Sequence, residues 1–598
     1  MPSFRPILAA LACALLAVTA APASAQPTQP DPAATEKLHD LFERFFEDSL
    51  RMNPLLATFI GDHRYDDQLP NDIGPDYRAQ ARTMNERYLA DVQAIDASKL
   101  SPADRISYDI FVRERLRARA AEQFPEHLLP INQAGSLLTL MPALGSGTNA
   151  QPFGTVQDYE EWLKRLDGLV VWIDQSIVNM TEGVKLGVVQ PRPVMEKVLP
   201  QIEAMIVERP EDSLYYAPVK AFPEGIDADQ RERLTAAYAA AIRDELVPAY
   251  RRLRDFVRDQ YLPNTRSTVA WSALPNGQAW YAFYAQEHTT TSMTADEIHQ
   301  IGLGEVARIL GEMDKVKQTV GFEGDRKAFF TFLETDPQFY FTRGEDLLQG
   351  YRELKVRIDA ALPRLFSIFP KADYEVREIE PFRAQAAAGA SYQGASADGT
   401  RPGIFYVNTY NLKAQPKFGM ETLSLHEASP GHHFQGTIQQ ELEELPRFRR
   451  FGGSYTAFVE GWALYAEFLG RELGLFTDPY QWFGRLNDEQ LRAMRLVVDT
   501  GLHAKGWTRE QAIKYMLDNS TLAESDVVSE VERYVAWPGQ ALGYKVGDLR
   551  LQAMRKRAEA ALGPKFDVRD FHREVLCDGA VPMDVLEAKI DRWIEARK

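Results

Sequence analysis

From Glu36 onward the apolar residues of this chain recur three and four positions apart in one segment after another. "LHDLFERFFEDSLRMNPLLATFIG" and "VQDYEEWLKRLDGLVVWIDQSIVNM" show it, as do "LTAAYAAAIRDELVPAYRRLRDFVRDQYL", "ADEIHQIGLGEVARILGEMDKVKQTVG" and "DLLQGYRELKVRIDAALPRLF". That spacing puts an apolar stripe on one side of an α-helix. Such stripes must be buried against one another, which predicts a mainly α body of helices packed on helices. No fixed-period repeat is present, and no Pro/Gly/Ser-rich linker follows residue 35. Residues 36–598 therefore read as a single large helical domain.

One region breaks the pattern. "AQAAAGASYQGASADGTRPGIFYVNTYNL" is Gly- and Ala-rich and then turns β-branched and aromatic in "GIFYVNTY". It reads as a loop followed by a strand, hence a small β-sheet, just before a cluster of histidines. That strand is either buried structure or an edge able to pair with an extended peptide.

The N-terminus indicates export. Arg5, the apolar run "ILAALACALLAVTA" and the ending Ala23-Ser24-Ala25 describe a signal peptide over residues 1–25. Residues 26–35, "QPTQPDPAAT", read as a disordered lead-in. Cys13 lies within the signal and leaves with it, so Cys577 remains alone and no internal disulfide is expected. The formal charge of −17 argues against nucleic acid or an anionic membrane as partner.

"SLHEASPGHHFQG", residues 424–436, holds three of the ten histidines within eight positions. A glutamate follows the first, as in the zinc-protease pattern H-E-x-x-H, but the next histidine arrives late. On a straight helix His426 and His432 differ by about 120° and about 9 Å. His433 returns nearly to the same face, but about 10.5 Å along. Neither can share a metal with His426 unless the helix breaks. Pro430 and Gly431 supply the means, since proline lacks an amide hydrogen and glycine admits unusual backbone angles. With the insertion looped out, His432 can return to His426, leaving His433 beside the metal or bonding a neighbouring group such as Glu467. The competing reading is a helix that ends at Ala428 with histidines on a turn. "SYTAFVEGWALYAEFLGREL" favours the metal. It is a strongly apolar helix that carries Glu460 and Glu467 seven apart on one face, where buried carboxylates need cations.

"HEASPGHHFQ", "FVEGWALYAE", "RLVVDTGLHAKGWTREQAI" and "RYVAWPGQALGYKVG" together resemble the domain-of-unknown-function 885 family. That family is similar to the gluzincin metallopeptidases. The resemblance implies a two-lobed helical fold of the oligopeptidase and angiotensin-converting-enzyme type with a deep cleft, its metal-site core at about residues 380–550. It implies His426, His432 and Glu460 as ligands of one zinc per chain and Glu427 as general base. His433 and Glu467 stand as neighbours or alternative ligands. His503 and Tyr544 resemble the donors that helical peptidases aim at the oxyanion, against the plainer readings of a helix end and a core tyrosine. Arg495 fits a substrate carboxylate or an ordinary ion pair. The expectation is an exported zinc peptidase acting on short peptides. The alternatives are a zinc hydrolase of other amides or esters, and a non-catalytic zinc-containing binding protein. No phosphate loop, dinucleotide motif or nucleophile elbow supports another chemistry.

Overall fold

A computed structural model describes residues 30–147, 149–379, 384, 389–395 and 402–598. The signal peptide expected over residues 1–25 lies outside the described residues, as does most of the Gly/Ala-rich loop. Helices dominate, as the apolar spacing predicts. Helix α1 (Pro32–Met52) begins inside the segment expected to be a disordered lead-in. The correction has a local cause: the Asp31 side chain accepts the Ala33 N–H at 3.0 Å, and Pro32 occupies the first turn, where no amide is needed.

The buried apolar side chains form two large cores. One joins α1 to the sheet, to the histidine-bearing segment and to the C-terminal helices. The other gathers the long helix α2 (Val156–Leu186) and helix α3 (Ala295–Thr319) with their neighbours. Trp482 packs against both.

Strands β1 (Tyr374–Glu378), β2 (Ala390–Gln393) and β3 (Gly403–Val407) form one sheet in the order β1-β3-β2. β3 pairs parallel to β1, with Tyr374 opposite Gly403, and antiparallel to β2, with Ala390 opposite Val407. The strand read from "GIFYVNTY" is thus buried along its length and paired on both sides. It has no edge for a peptide; β1 and β2 are the outer strands.

Six helices bring the candidate site's side chains together: α4 (Met420–Glu427), α5 (His432–Glu441), α6 (Thr456–Phe468), α7 (Pro479–Ala504), α8 (Glu524–Ala536) and α9 (Leu542–Leu562). α6 and α9 cross backbone to backbone. A Cβ on Gly547 would fall 1.8 Å from the Ala457 carbonyl oxygen, and one on Gly461 would fall 2.5 Å from the Gly547 Cα. Neither contact leaves room for a methyl group. Glu460 is next to Gly461, and Tyr544 lies one turn before Gly547, so this crossing joins the two helices that bring these side chains to one cavity. Gly547→Ala is expected to cost about 1–3 kcal/mol of stability through overpacking, read as a lower urea midpoint. Unchanged stability would contradict the close crossing.

Candidate metal centre

The α4–α5 break brings two histidines to one point. α4 stops at Glu427, Ala428 leaves helical geometry at φ −104°, ψ −111°, and α5 starts at His432. Gly431 lies against the preceding helix end: a Cβ there would come 1.9 Å from the His426 carbonyl oxygen. Trp462 of α6, fully buried, donates its indole N–H to the Pro430 carbonyl at 2.7 Å and pins the break. The His426 and His432 rings then lie perpendicular, with centroids 4.8 Å apart.

α6 brings the carboxylate. Glu460 Oε2 lies 3.7 Å from His426 Nε2 and 3.4 Å from His432 Nε2. One donor atom from each of the three residues falls within 4.8 Å of the others. Ligands about 2.0–2.2 Å from a tetrahedral metal ion stand roughly 3.3–3.6 Å apart; the Glu460–His432 separation falls in that range and the Glu460–His426 separation just above it, so the three residues are a candidate metal-binding group. His426 is enclosed, whereas His432 and Glu460 are 17% and 20% exposed, which leaves the group open on one side.

Glu467 completes the support. Two turns along α6 from Glu460, it accepts His426 Nδ1–H at 2.7 Å and the Thr422 hydroxyl at 3.0 Å. Holding the proton on Nδ1 leaves Nε2 free to ligate. Burial opposes charge on His426, yet bonds from Glu460 and Glu467 raise its pKa to about 10. Burial likewise opposes charge on Glu460, yet the two imidazoles hold its carboxyl well below the usual range. A buried and a half-buried carboxylate facing two imidazoles form a setting that favours a cation.

A cavity of about 800 Å³ opens on this group. Glu427 lines it, half-buried, with no hydrogen bond or ion pair to a described residue. Tyr544 lines it as well; its hydroxyl accepts Arg533 Nη2–H at 3.2 Å, and the Arg495 guanidinium lies 4.5 Å from its ring centroid. Arg495 makes the ion pair that a helical arginine invites, with Glu530 at 2.9 Å. Burial pushes Glu530 up, but Arg495 and Arg533 bring it down to about 2. Asp488 and Arg492 pair on α7 at 2.7 Å, and burial still leaves the Asp488 carboxyl raised. β2 lends Ala390, Ser391 and Tyr392 to the wall. A larger cavity, about 1240 Å³, lies elsewhere against Trp172, Trp271 and Trp537 and contains none of the three converging ligands.

Two expected site residues fall elsewhere. His503 is fully buried on α7 and does not line the metal cavity. Its Nε2–H donates to the Tyr534 carbonyl at 2.9 Å, and its Nδ1 accepts the Trp271 N–H at 3.2 Å. It lies two turns beyond Arg495, about 12 Å along the helix, where it ties α7 to other backbone segments rather than facing an oxyanion. His433 does not reach Glu467. Its Nδ1 accepts the Tyr392 hydroxyl at 2.9 Å and its ring packs on Tyr374 at 4.7 Å, so it joins α5 to the sheet. Sequence reasoning missed Thr422, Trp462, Asp488 and Arg492. Thr422 precedes His426 by one turn, and the Asp488–Arg492 spacing is that of a helical ion pair, so both left a signal.

A family model for DUF885, bacterial proteins of unknown function, matches residues 54–590. The chain belongs to that family. A crystal structure of a candidate lipoprotein from Colwellia psychrerythraea is similar to this DUF885 chain at TM-score 0.87 and 30% identity, covering 94% of this chain and 99% of the other. A candidate lipoprotein of unknown function from Shewanella oneidensis is similar at TM-score 0.71 and 17% identity, over 92% and 99% of the two chains, and shares the fold. Among curated proteins, none matches the DUF885 chain.

Burial holds the imidazoles of His503 and His572 neutral, with pKa values lowered to about 3. In the unfolded chain they return to about 6.5. The unfolded state therefore binds more protons, and stability present above pH 6.5 is lost as pH falls toward 3. Urea unfolding across that range should show the decline, with a shallower slope in His503→Gln. A slope unchanged in that variant would contradict the buried neutral state.

Proposed function

We propose that this chain is an exported zinc-dependent peptidase of gluzincin type that hydrolyses short peptides. The observation that carries the reading is the convergence of His426, His432 and Glu460 on one open-sided point, with the Glu427 carboxylate, unpaired among the described residues, on the same cavity. A closed structural site would enclose four ligands and need no adjacent base. The description of the Colwellia relative as a candidate lipoprotein agrees with export. No helix among the described residues is long and apolar enough to cross a membrane.

Zinc held by these residues supplies Lewis-acid polarisation of the scissile carbonyl and makes water more acidic. Glu427 takes the proton of the attacking water as its oxygen bonds to the carbonyl carbon. It later returns that proton to the leaving nitrogen as the C–N bond breaks, so one water is consumed per bond. The Tyr544 hydroxyl accepts from Arg533 and keeps its own hydrogen to donate to the developing oxyanion. Glu467 and Thr422 keep His426 in one tautomer and orientation. The outer strand β2 offers backbone groups to an extended peptide, the role that β3 cannot take.

The expected metal content is one zinc per chain, lost with activity on chelation and restored by zinc. Glu427→Gln should keep the metal and lower turnover by about 10² or more. His432→Ala should lose the metal, whereas His433→Ala should keep it. Elemental analysis of the purified variants alongside peptide hydrolysis checks all three. An active preparation free of metal would remove the proposal, and metal lost only from His433→Ala would overturn the ligand set.

A further inference from the structure

A partition one side chain thick separates the metal cavity from the larger cavity of about 1240 Å³. Arg533 lines the metal cavity, where its Nη2 donates to the Tyr544 hydroxyl at 3.2 Å. The same nitrogen donates to Gln540 Oε1 at 3.0 Å, and the guanidinium carbon lies 5.8 Å from the Trp537 ring centroid. Gln540 and Trp537 line the larger cavity. A second contact ties the two together. His288, on the wall of the larger cavity, hydrogen-bonds through Nδ1 with the Thr456 hydroxyl at 3.2 Å, and Thr456 opens α6 one turn before Glu460. The Trp537 ring is thus within about 10 Å of the Tyr544 hydroxyl, the reach of about three residues of extended chain.

α7 holds this wall in place. Asp499 accepts the Gly539 N–H at 3.0 Å and the Tyr281 hydroxyl at 2.6 Å, which fixes the turn between Trp537 and Gln540, where Gly539 stands at φ +80°. His503 accepts the Trp271 N–H, and the Trp271 indole donates to the Val535 carbonyl at 3.2 Å. Tyr77, Tyr284 and Trp537 line the cavity with part of their surface accessible, Trp537 being 36% exposed, while Phe124, Trp172 and Trp271 back them. The polar groups on the wall meet one another. Arg82 pairs with Glu122 at 2.7 Å, Glu287 pairs with Arg117, and Arg78 donates to His127 Nδ1 at 3.0 Å. Asp72 accepts the Trp172 indole N–H at 2.9 Å, and Glu126 stands beside the Tyr284 hydroxyl. Burial raises both of those carboxyls and holds the His127 and His288 imidazoles neutral, at about 4. What such a wall offers a ligand is aromatic surface, whose water an apolar side chain displaces favourably.

We propose that the larger cavity is a distal subsite of the metal cavity and takes an uncharged aromatic or large aliphatic side chain of the peptide whose scissile bond lies at His426, His432 and Glu460. The proposal rests on the peptidase reading and gives it a specificity. With the Tyr544 hydroxyl at the scissile carbonyl, the distance to Trp537 places that side chain two to four residues from the bond. The peptide crosses the partition at Arg533, whose side chain is 27% exposed.

The test uses zinc-loaded protein and a set of Ala/Ser octapeptides with free termini, each carrying one Phe, moved through every position. Mass spectrometry of the products gives the bond cut, and initial rates give kcat/KM. Phe at one fixed separation, two to four residues from the cut, should raise kcat/KM over the Phe-free peptide by about 10–100-fold, the range expected for burying such a side chain. Lys or Glu at the favoured position should remove the gain. Trp537→Ala should shrink the gain to a few-fold, mainly through KM, with zinc content unchanged, whereas Trp537→Phe should keep most of it. A gain confined to Phe flanking the bond, no gain at any position, or an equal gain from Lys or Glu overturns the subsite. So does a full gain in Trp537→Ala. The comparison of peptides on the unsubstituted protein stands even if a variant fails to fold. If no peptide is cleaved, the peptidase reading fails separately, and calorimetric titration of the Phe and Phe-free peptides into the unsubstituted protein and Trp537→Ala decides the subsite. Tighter binding of Phe peptides that is lost in the variant supports it; equal binding overturns it.

Discussion

Burying two carboxylates on one apolar helix is the constraint on which the site depends. α6 is enclosed along most of its length, yet carries Glu460 and Glu467 on one face. A carboxylate taken from water without a partner costs several kcal/mol, so every neighbouring element has to present a cation or a donor there. α4 answers Glu467 with His426 and Thr422, and the α4–α5 break answers Glu460 with His432. One helix thereby sets the placement of the two before it, and Trp462 of the same helix holds the break through the Pro430 carbonyl.

The break explains how a spacing too long for a regular helix still yields paired imidazoles. Residues 428–431 leave the helical path, and Gly431 comes too close to the His426 carbonyl for any side chain. His432 opens a new helix with its ring against His426, and His433, one residue on, is turned toward Tyr374 and Tyr392. Adjacent residues of a helix differ by about 100°, so one histidine meets Glu460 while the next braces the sheet. Both are needed if the cavity is to keep its shape, because Tyr392 is part of its wall.

The cavity draws its wall from both apolar cores, and charged side chains line it on every side. α4, α5 and α6 bring the imidazoles with Glu427 and Glu460, whereas α7 and α8 bring Arg492, Arg495 and Arg533 together with Asp488, Asp526 and Glu530. The glycine contact between α6 and α9 joins the two helices that carry Glu460 and Tyr544.

Helical periodicity, the single break in it and the two acids on an apolar helix are local properties, and the sequence alone determined them: the mainly helical body, a strand before the histidines, and a short set of candidate ligands, from which the family resemblance singled out His426, His432 and Glu460, the three that converge. Partners far apart in the chain were decided by tertiary structure. His503 sits at a polar turn in the sequence, but Trp271 and Tyr534 pack around it and take both ring nitrogens, which no local pattern encodes. The acidic partner of His426 proved to be Glu467 while His433 went to the sheet, because the direction of each ring depends on backbone angles in residues 428–431. "GIFYVNTY" was legible as a strand, but its central position required β1 and β2 to arrive on either side. The arginine cluster was the least legible feature. Arg492, Arg495 and Arg533 each look like ordinary helical ion-pair residues, and only the packing of α7 against α8 and α9 gathers them at one tyrosine.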